Sequence, residues 1–190
     1  MGAFKPLLPF GKRTVIESCI DYLRQAGVEN IIVVLGHNAD EIKHRLADLP
    51  VQFVLNPDPD SEMSASITAG LARLPADAKA TLIAPADHPA VPTTVVSELI
   101  EAWKHGAPLV IPTWQNRGGH PVLLDLHYRT ELQNLDPTRG LRALFEAHPG
   151  EVKRLAVDSP FVARDLDTWD DYAALYRQVF GEPPPERRKD

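Results

Sequence analysis

The chain has 190 residues, 44% of them hydrophobic and 24% charged, with a formal net charge of −6. That length is one domain, able to bury about 70% of the surface of its unfolded form without a disulfide or metal staple. The acidic balance excludes a general nucleic-acid surface, which needs clustered Lys and Arg, while leaving room for a small anion in one locally cationic or metal-bearing cleft.

In chain order, Thr14-Val15-Ile16-Glu17 has the pattern of a capping box, with Thr14 as N-cap. Ile16, Cys19, Ile20 and Leu23 follow at helical spacing, and Gly27 stops the run. The single cysteine, Cys19, falls on that apolar face and is expected in the core. Residues 30–36 form a continuous branched apolar run, the pattern of a strand buried on both faces. That run is far short of a membrane span, and no basic-then-apolar leader opens the sequence, so a cytoplasmic protein without membrane partners is expected.

The pattern then repeats: helix 40–46, strand 51–55, helix 64–74, strand 80–84, and a helix capped at Thr93 or Thr94 that stops near Gly106. Strands at 109–111 and 122–124 flank a turn placed at Gly118-Gly119. Helices at 126–132 and 141–147, a strand at 152–157 and a last helix capped by Thr168 complete the series. Strands alternating with helices imply a mostly parallel sheet with right-handed crossovers. The domain is expected to span 1–180, and the polar, proline-rich 181–190 to be a disordered tail.

In such sheets ligands bind outside the carboxyl ends of the strands, which puts Gly36-His37, Asn56-Pro57, Asp87-His88-Pro89 and the segment around Gly119 at the cleft. A carboxylate such as Asp87 suits a hard cation, which takes one or two carboxylates and completes its shell with water and phosphate; the other reading is a turn residue. Ser64 and Ser66 open a helix and serve either an anion or the cap.

Several segments together carry a family resemblance. Met1-Gly2-Ala3-Phe4-Lys5-Pro6-Leu7-Leu8-Pro9 resembles the R-M-G-x-x-K-x-L-L-P signature of the MobA-like NTP transferases, in which a strand and a glycine-rich turn come first. Pro85-Ala86-Asp87-His88-Pro89 is similar to the family's metal-binding D-x-P, and Asp165-Leu166-Asp167-Thr168-Trp169-Asp170-Asp171 to its D-x-D-T-P-E-D. Asn56-Pro57 with Glu62-Met63-Ser64-Ala65-Ser66 resembles its N-P…G-M-x-S-S, with Glu62 in place of glycine. Arg117-Gly118-Gly119-His120-Pro121-Val122-Leu123 is similar to R-G-H-P-V-L, typical of the molybdenum cofactor cytidylyltransferase branch. Thr138-Arg139-Gly140-Leu141-Arg142 resembles G-D-x-G-A-R, with Thr138 for Asp and Asp136 two residues away.

The resemblance implies a Rossmann-like three-layer α/β nucleotidyltransferase fold with a mostly parallel, mixed sheet. It implies Lys5 on a nucleotide phosphate, Asp87 and Asp165 on Mg²⁺, and Asn56, Ser64, Ser66, Gly119, His120 and Arg142 on nucleotide or acceptor. The implied reaction moves a nucleoside monophosphate from an NTP, CTP in the closest branch, to the molybdopterin cofactor and releases pyrophosphate. Two alternatives stay open: GTP or a sugar-phosphate acceptor, and a non-catalytic binding or maturation partner of a molybdoenzyme. Since the sequence does not contain the family's first strand and glycine loop, Met1 is expected to be an internal methionine of a longer reading frame.

Overall fold

The computed structural model describes residues 4–185. A turn of 3-10 helix, Lys5–Leu7, leads into a small antiparallel hairpin of β1, Pro9–Phe10, and β2, Arg13–Thr14, and then α1, Val15–Gln25. The capping box is formed: the Thr14 side chain accepts from the Glu17 N–H and the Glu17 carboxylate from the Thr14 N–H. Next come β3, Ile32–Leu35, α2, Ala39–Arg45, β4, Gln52–Leu55, α3, Met63–Leu71, and β5, Ala80–Ile83. The second half holds α4, Thr93–Lys104, β6, Leu109–Trp114, β7, Arg117–Gly118, β8, Val122–Asp125, α5, Arg129–Gln133, α6, Leu141–Ala147, β9, Val152–Ala156, and α7, Trp169–Phe180.

The fold is α/β and Rossmann-like, with a mixed sheet. β3 and β4 pair in parallel, and β5-β8-β6-β7 form a second set with β9 along the other edge of β6. β5 and β6 are each antiparallel to β8, hence parallel to one another, and β9 runs parallel to β6. Antiparallel pairing in that set is therefore confined to ladders made by β7 and β8.

The strand β6 is buried along Leu109–Thr113, as a central strand covered on both faces must be. The main core packs α1 and α4 against the sheet through Ile16, Cys19, Ile20, Val96, Leu99 and Val110. A second cluster lies under α3, α5 and α6, and a third joins β1 to α7 through Phe10, Val15, Tyr172 and Leu175.

Four expectations change. The β6–β7 turn is made by Gln115 and Asn116, both left-handed, with Trp114 opposite Arg117, so Gly118 and Gly119 lie beyond it. Gly119 is required for another reason: a Cβ there would stand 2.2 Å from the Val162 carbonyl oxygen. The N-cap of α4 is Pro92, not Thr93 or Thr94, and the Thr93 hydroxyl donates instead to the Gln25 side chain at 3.3 Å. The helix expected at 64–74 ends at Leu71, and that at 126–132 divides into a 3-10 turn, Leu126–Tyr128, and α5. Of the tail expected to be disordered, 186–190 lies outside the described residues and 181–185 carries no helix or strand.

Candidate functional site

The carboxyl end of β5 leads through Ala84-Pro85-Ala86 to Asp87 and His88. His88 is buried against α1, where its backbone hydrogen-bonds the Cys19 thiol. Burial, with the Asp87 charge adding to it, pushes that thiol up to about 12, so Cys19 is an inert core residue and no nucleophile. One Asp87 oxygen, Oδ1, is buried with no hydrogen-bond partner among the described residues; His88 Nε2, at 3.7 Å, is too distant.

The ring of His88 meets His120 edge-on, with centroids 5.5 Å apart. His120 is held by its own backbone, whose N–H donates to the Val162 carbonyl at 2.7 Å, and its ring hydrogen-bonds the Ile83 backbone. Burial first, and the neighbouring His88 second, hold His120 down to about 4, against the opposing charge of Asp165. His120 is thus a neutral imidazole at neutral pH. Its Nδ1, like that of His88, is buried without a hydrogen-bond partner among the described residues.

Asp165 and Asp167 lie in the exposed stretch between the 3-10 turn Pro160–Ala163 and α7, anchored between them by the fully buried Leu166. Lys5 Nζ donates to Asp167 Oδ1 at 3.2 Å, with the Asp167 side chain 70% exposed. The structure thereby brings Lys5, Asp87, His88, His120, Asp165 and Asp167 together at one end of the sheet. Of the segment before Lys5, Met1, Gly2 and Ala3 lie outside the described residues.

The remaining expected residues fall elsewhere or are already engaged. Asn56 is buried; its Nδ2 donates to Ser61 Oγ at 3.0 Å and Ser66 Oγ at 3.1 Å, and its Oδ1 accepts from the Asp58 N–H. Asn56 therefore fastens the β4–α3 loop, and Ser66 is tied to it. Ser64 is buried in the first turn of α3, and neither serine caps the helix: Glu62 is the N-cap, without a side-chain bond. Arg142 is exposed on α6, whose buried residues Leu141 and Leu144 join the second core cluster, away from the one that takes in Cys19. Asp136 accepts from the Thr138 N–H and hydroxyl and from the Arg139 N–H, which makes it a local turn-former.

His88 had no role in the sequence reading. Its partner is 32 positions away, and only the β5–β8 pairing brings the two rings together. No spacing along the chain announces that contact.

The orphaned Asp87 oxygen fits a hard divalent cation, which takes carboxylate oxygen. Among the described residues no three His, Cys, Asp or Glu side chains converge into a complete cage. A cation here would therefore complete its shell with water and substrate oxygens, as a site shared with a phosphate does.

Comparison with known proteins bears on the family and the fold. The chain is 27% identical over 181 residues to nicotine blue oxidoreductase of Paenarthrobacter nicotinovorans, spanning 86% of this chain and 83% of that protein. Its fold superposes on the crystal structure of Rv0371c from Mycobacterium tuberculosis with a TM-score of 0.83 and 28% identity, covering 93% of this chain and 90% of that one. It superposes similarly, at 0.81, 28% and 93% of each chain, on the complex of that protein with manganese. A sequence model described as the MobA-like NTP transferase domain matches residues 1–153, which takes in Lys5, Asp87 and His120 and stops short of Asp165. The chain belongs to the MobA-like NTP transferase family, and its Rossmann-like α/β fold is the one that family's nucleotidyltransferases use.

Proposed function

We propose that this protein is a nucleotidyltransferase that moves CMP from CTP to a phosphorylated acceptor, the molybdopterin cofactor, with release of pyrophosphate and dependence on Mg²⁺. The observation that carries this reading is the buried, unpartnered Asp87 Oδ1 at the end of β5, with the Asp165 charge acting on the adjacent His120 and Lys5 held nearby by Asp167. Family membership and the manganese complex of a structural neighbour support the use of a nucleotide and a divalent ion.

In the reaction an acceptor phosphate oxygen attacks the α-phosphorus in line, and the bond to the β-phosphate oxygen breaks so that pyrophosphate leaves. Such chemistry depends on positioning and charge neutralisation rather than on a covalent enzyme intermediate. A divalent cation held by Asp87 and Asp165 would supply charge neutralisation at the phosphates. Lys5 adds a point charge to the triphosphate, and Asp167 holds the ammonium in place until a phosphate competes for it. An exposed pair of this kind is worth at most about 1 kcal/mol, so a triphosphate displaces it with little loss. His120, neutral and seated on Val162, shapes the floor beside Asp165 and moves no proton, because the attacking phosphate is already ionised.

The test is pyrophosphate release from CTP with Mg²⁺ and the acceptor. Asp87→Ala is expected to lower turnover about a hundredfold or more while the protein stays folded and binds nucleotide. Undiminished turnover would sink the role given to Asp87. Preference for GTP or a sugar-phosphate would replace substrate or acceptor, and cofactor binding without turnover would replace catalysis by a maturation role.

A further inference from the structure

A cavity of about 850 Å³ lies between the β1–β2 hairpin, α1, the segment 89–93 and the end of α7. Among the described residues, none of Lys5, Asp87, His120, Asp165 or Asp167 lines it, although Pro89 follows Asp87 by only two positions. It is a space apart from the candidate site that shares one loop with it. A volume of that size is usual for small-molecule sites, which are mostly apolar with a few placed polar groups.

Its two walls differ in chemistry. One is apolar: Phe10, Phe161 and Phe180 contribute rings, and Pro89 and Pro92 contribute backbone that has no N–H to satisfy. Gly11, with φ of +63°, brings the hairpin turn against the Phe180 ring, where a Cβ would stand 2.8 Å from it. Phe10 and Phe180 meet edge-on with centroids 4.9 Å apart. Phe180 is nonetheless 39% exposed, which leaves ring surface available to a flat partner.

The opposite wall is polar, and most of its groups already satisfy one another. Arg13 donates to Asp21, Gln25 Nε2 donates to the same carboxylate oxygen at 2.5 Å, and Thr93 Oγ1 donates to Gln25 Oε1 at 3.3 Å. Arg13 thus neutralises Asp21, and the charge left over in the lining is that of Lys12, exposed and without an ion pair among the described residues. In a chain of net charge −6, a cavity lined by two cations and one carboxylate inverts the field locally. Tyr22 is also part of the lining, and its hydroxyl is buried with no hydrogen-bond partner among the described residues. An unpaired buried hydroxyl is costly, and it leaves the wall a donor not yet used.

We propose that this cavity binds a small, flat aromatic anion, with its rings against Phe10, Phe161 and Phe180 and its acidic group at Lys12. Stacking on the rings supplies affinity, and the unpaired ammonium selects for charge. A triphosphate is a poor match, because one free cation and a wall of prolines without N–H groups offer it little.

The test uses the full chain with naphthalene-2-sulfonate, and with the uncharged naphthalene-2-sulfonamide as control. Binding is read by titration calorimetry and by amide chemical shifts. The sulfonate is expected to bind once per chain and about fivefold more tightly than the sulfonamide, as an exposed charge pair allows. Shifts are expected at Gly11, Tyr22 and Val91. In Lys12→Gln, at an exposed position, that preference should vanish while the sulfonamide binds as before. In Phe180→Ala both compounds should bind about tenfold more weakly. CTP with Mg²⁺ should leave the sulfonate affinity unchanged, which keeps this proposal separate from the nucleotidyl-transfer reading. Four results overturn it: no saturable binding up to millimolar sulfonate, a preference that survives Lys12→Gln, displacement by CTP with Mg²⁺, or shifts confined to Val34 and Leu82 in the cavity between β3 and β5.

Discussion

His120 shows how a titratable side chain becomes a fixed part of the floor. The unfolded imidazole takes up a proton near the ordinary 6.5, whereas the folded one does so only near 4, chiefly because it is buried and then because His88 is beside it. Between those values the unfolded state binds more protons, so stability is lost as pH falls through that window and is fully present above it. The difference is on the order of 3 kcal/mol. Unfolding free energy measured from pH 7 to pH 4 should therefore fall more steeply in the native protein than in His120→Gln. Identical slopes would show that the drop comes from other groups.

At the scale of elements, the tightest approach is that of Gly119 to the 3-10 turn Pro160–Ala163. Gly119→Ala puts a methyl 2.2 Å from the Val162 oxygen and is expected to cost about 3 kcal/mol, because backbone rather than a pliable side chain must move. Denaturant unfolding measures it, and a loss under about 1 kcal/mol would mean that the turn yields easily. Here the limits of the sequence become clear. Thr14 with Glu17 and Thr168 with Asp171 were legible as caps because each box closes within four residues, and both form. The strand–helix alternation was legible for the same local reason. The role of Gly119 was not, since Val162 reaches it from 43 positions away. The Gln115-Asn116 turn was hidden because nothing local forces it while two glycines stand nearby as the more obvious choice. At the site, the motifs around Asp87 and Asp165 single out the carboxylates on which the proposed metal role rests. The engagement of Asn56 with Ser61 and Ser66 depends on a loop path that no motif records.

Across the whole molecule, the two ends of the described chain fold onto each other. Leu8, Phe10 and Val15 share a core with Leu166, Tyr172, Leu175 and Tyr176, and the Tyr172 hydroxyl donates to the Pro9 carbonyl at 2.5 Å. Leu175→Ala, at a position 1% exposed, is expected to cost about 3 kcal/mol and to shift one cooperative unfolding transition. Two separated transitions would instead show that this terminal cluster folds independently of the sheet.

The pairing of Lys5 with Asp167 spans 162 positions of sequence. Synthesis runs in chain order, so Lys5 and Asp87 exist before Asp165 and Asp167 are made. A nascent chain that has not yet reached Asp165 therefore carries only part of this charged arrangement, and Lys5 meets its Asp167 partner only once the segment before α7 has been made.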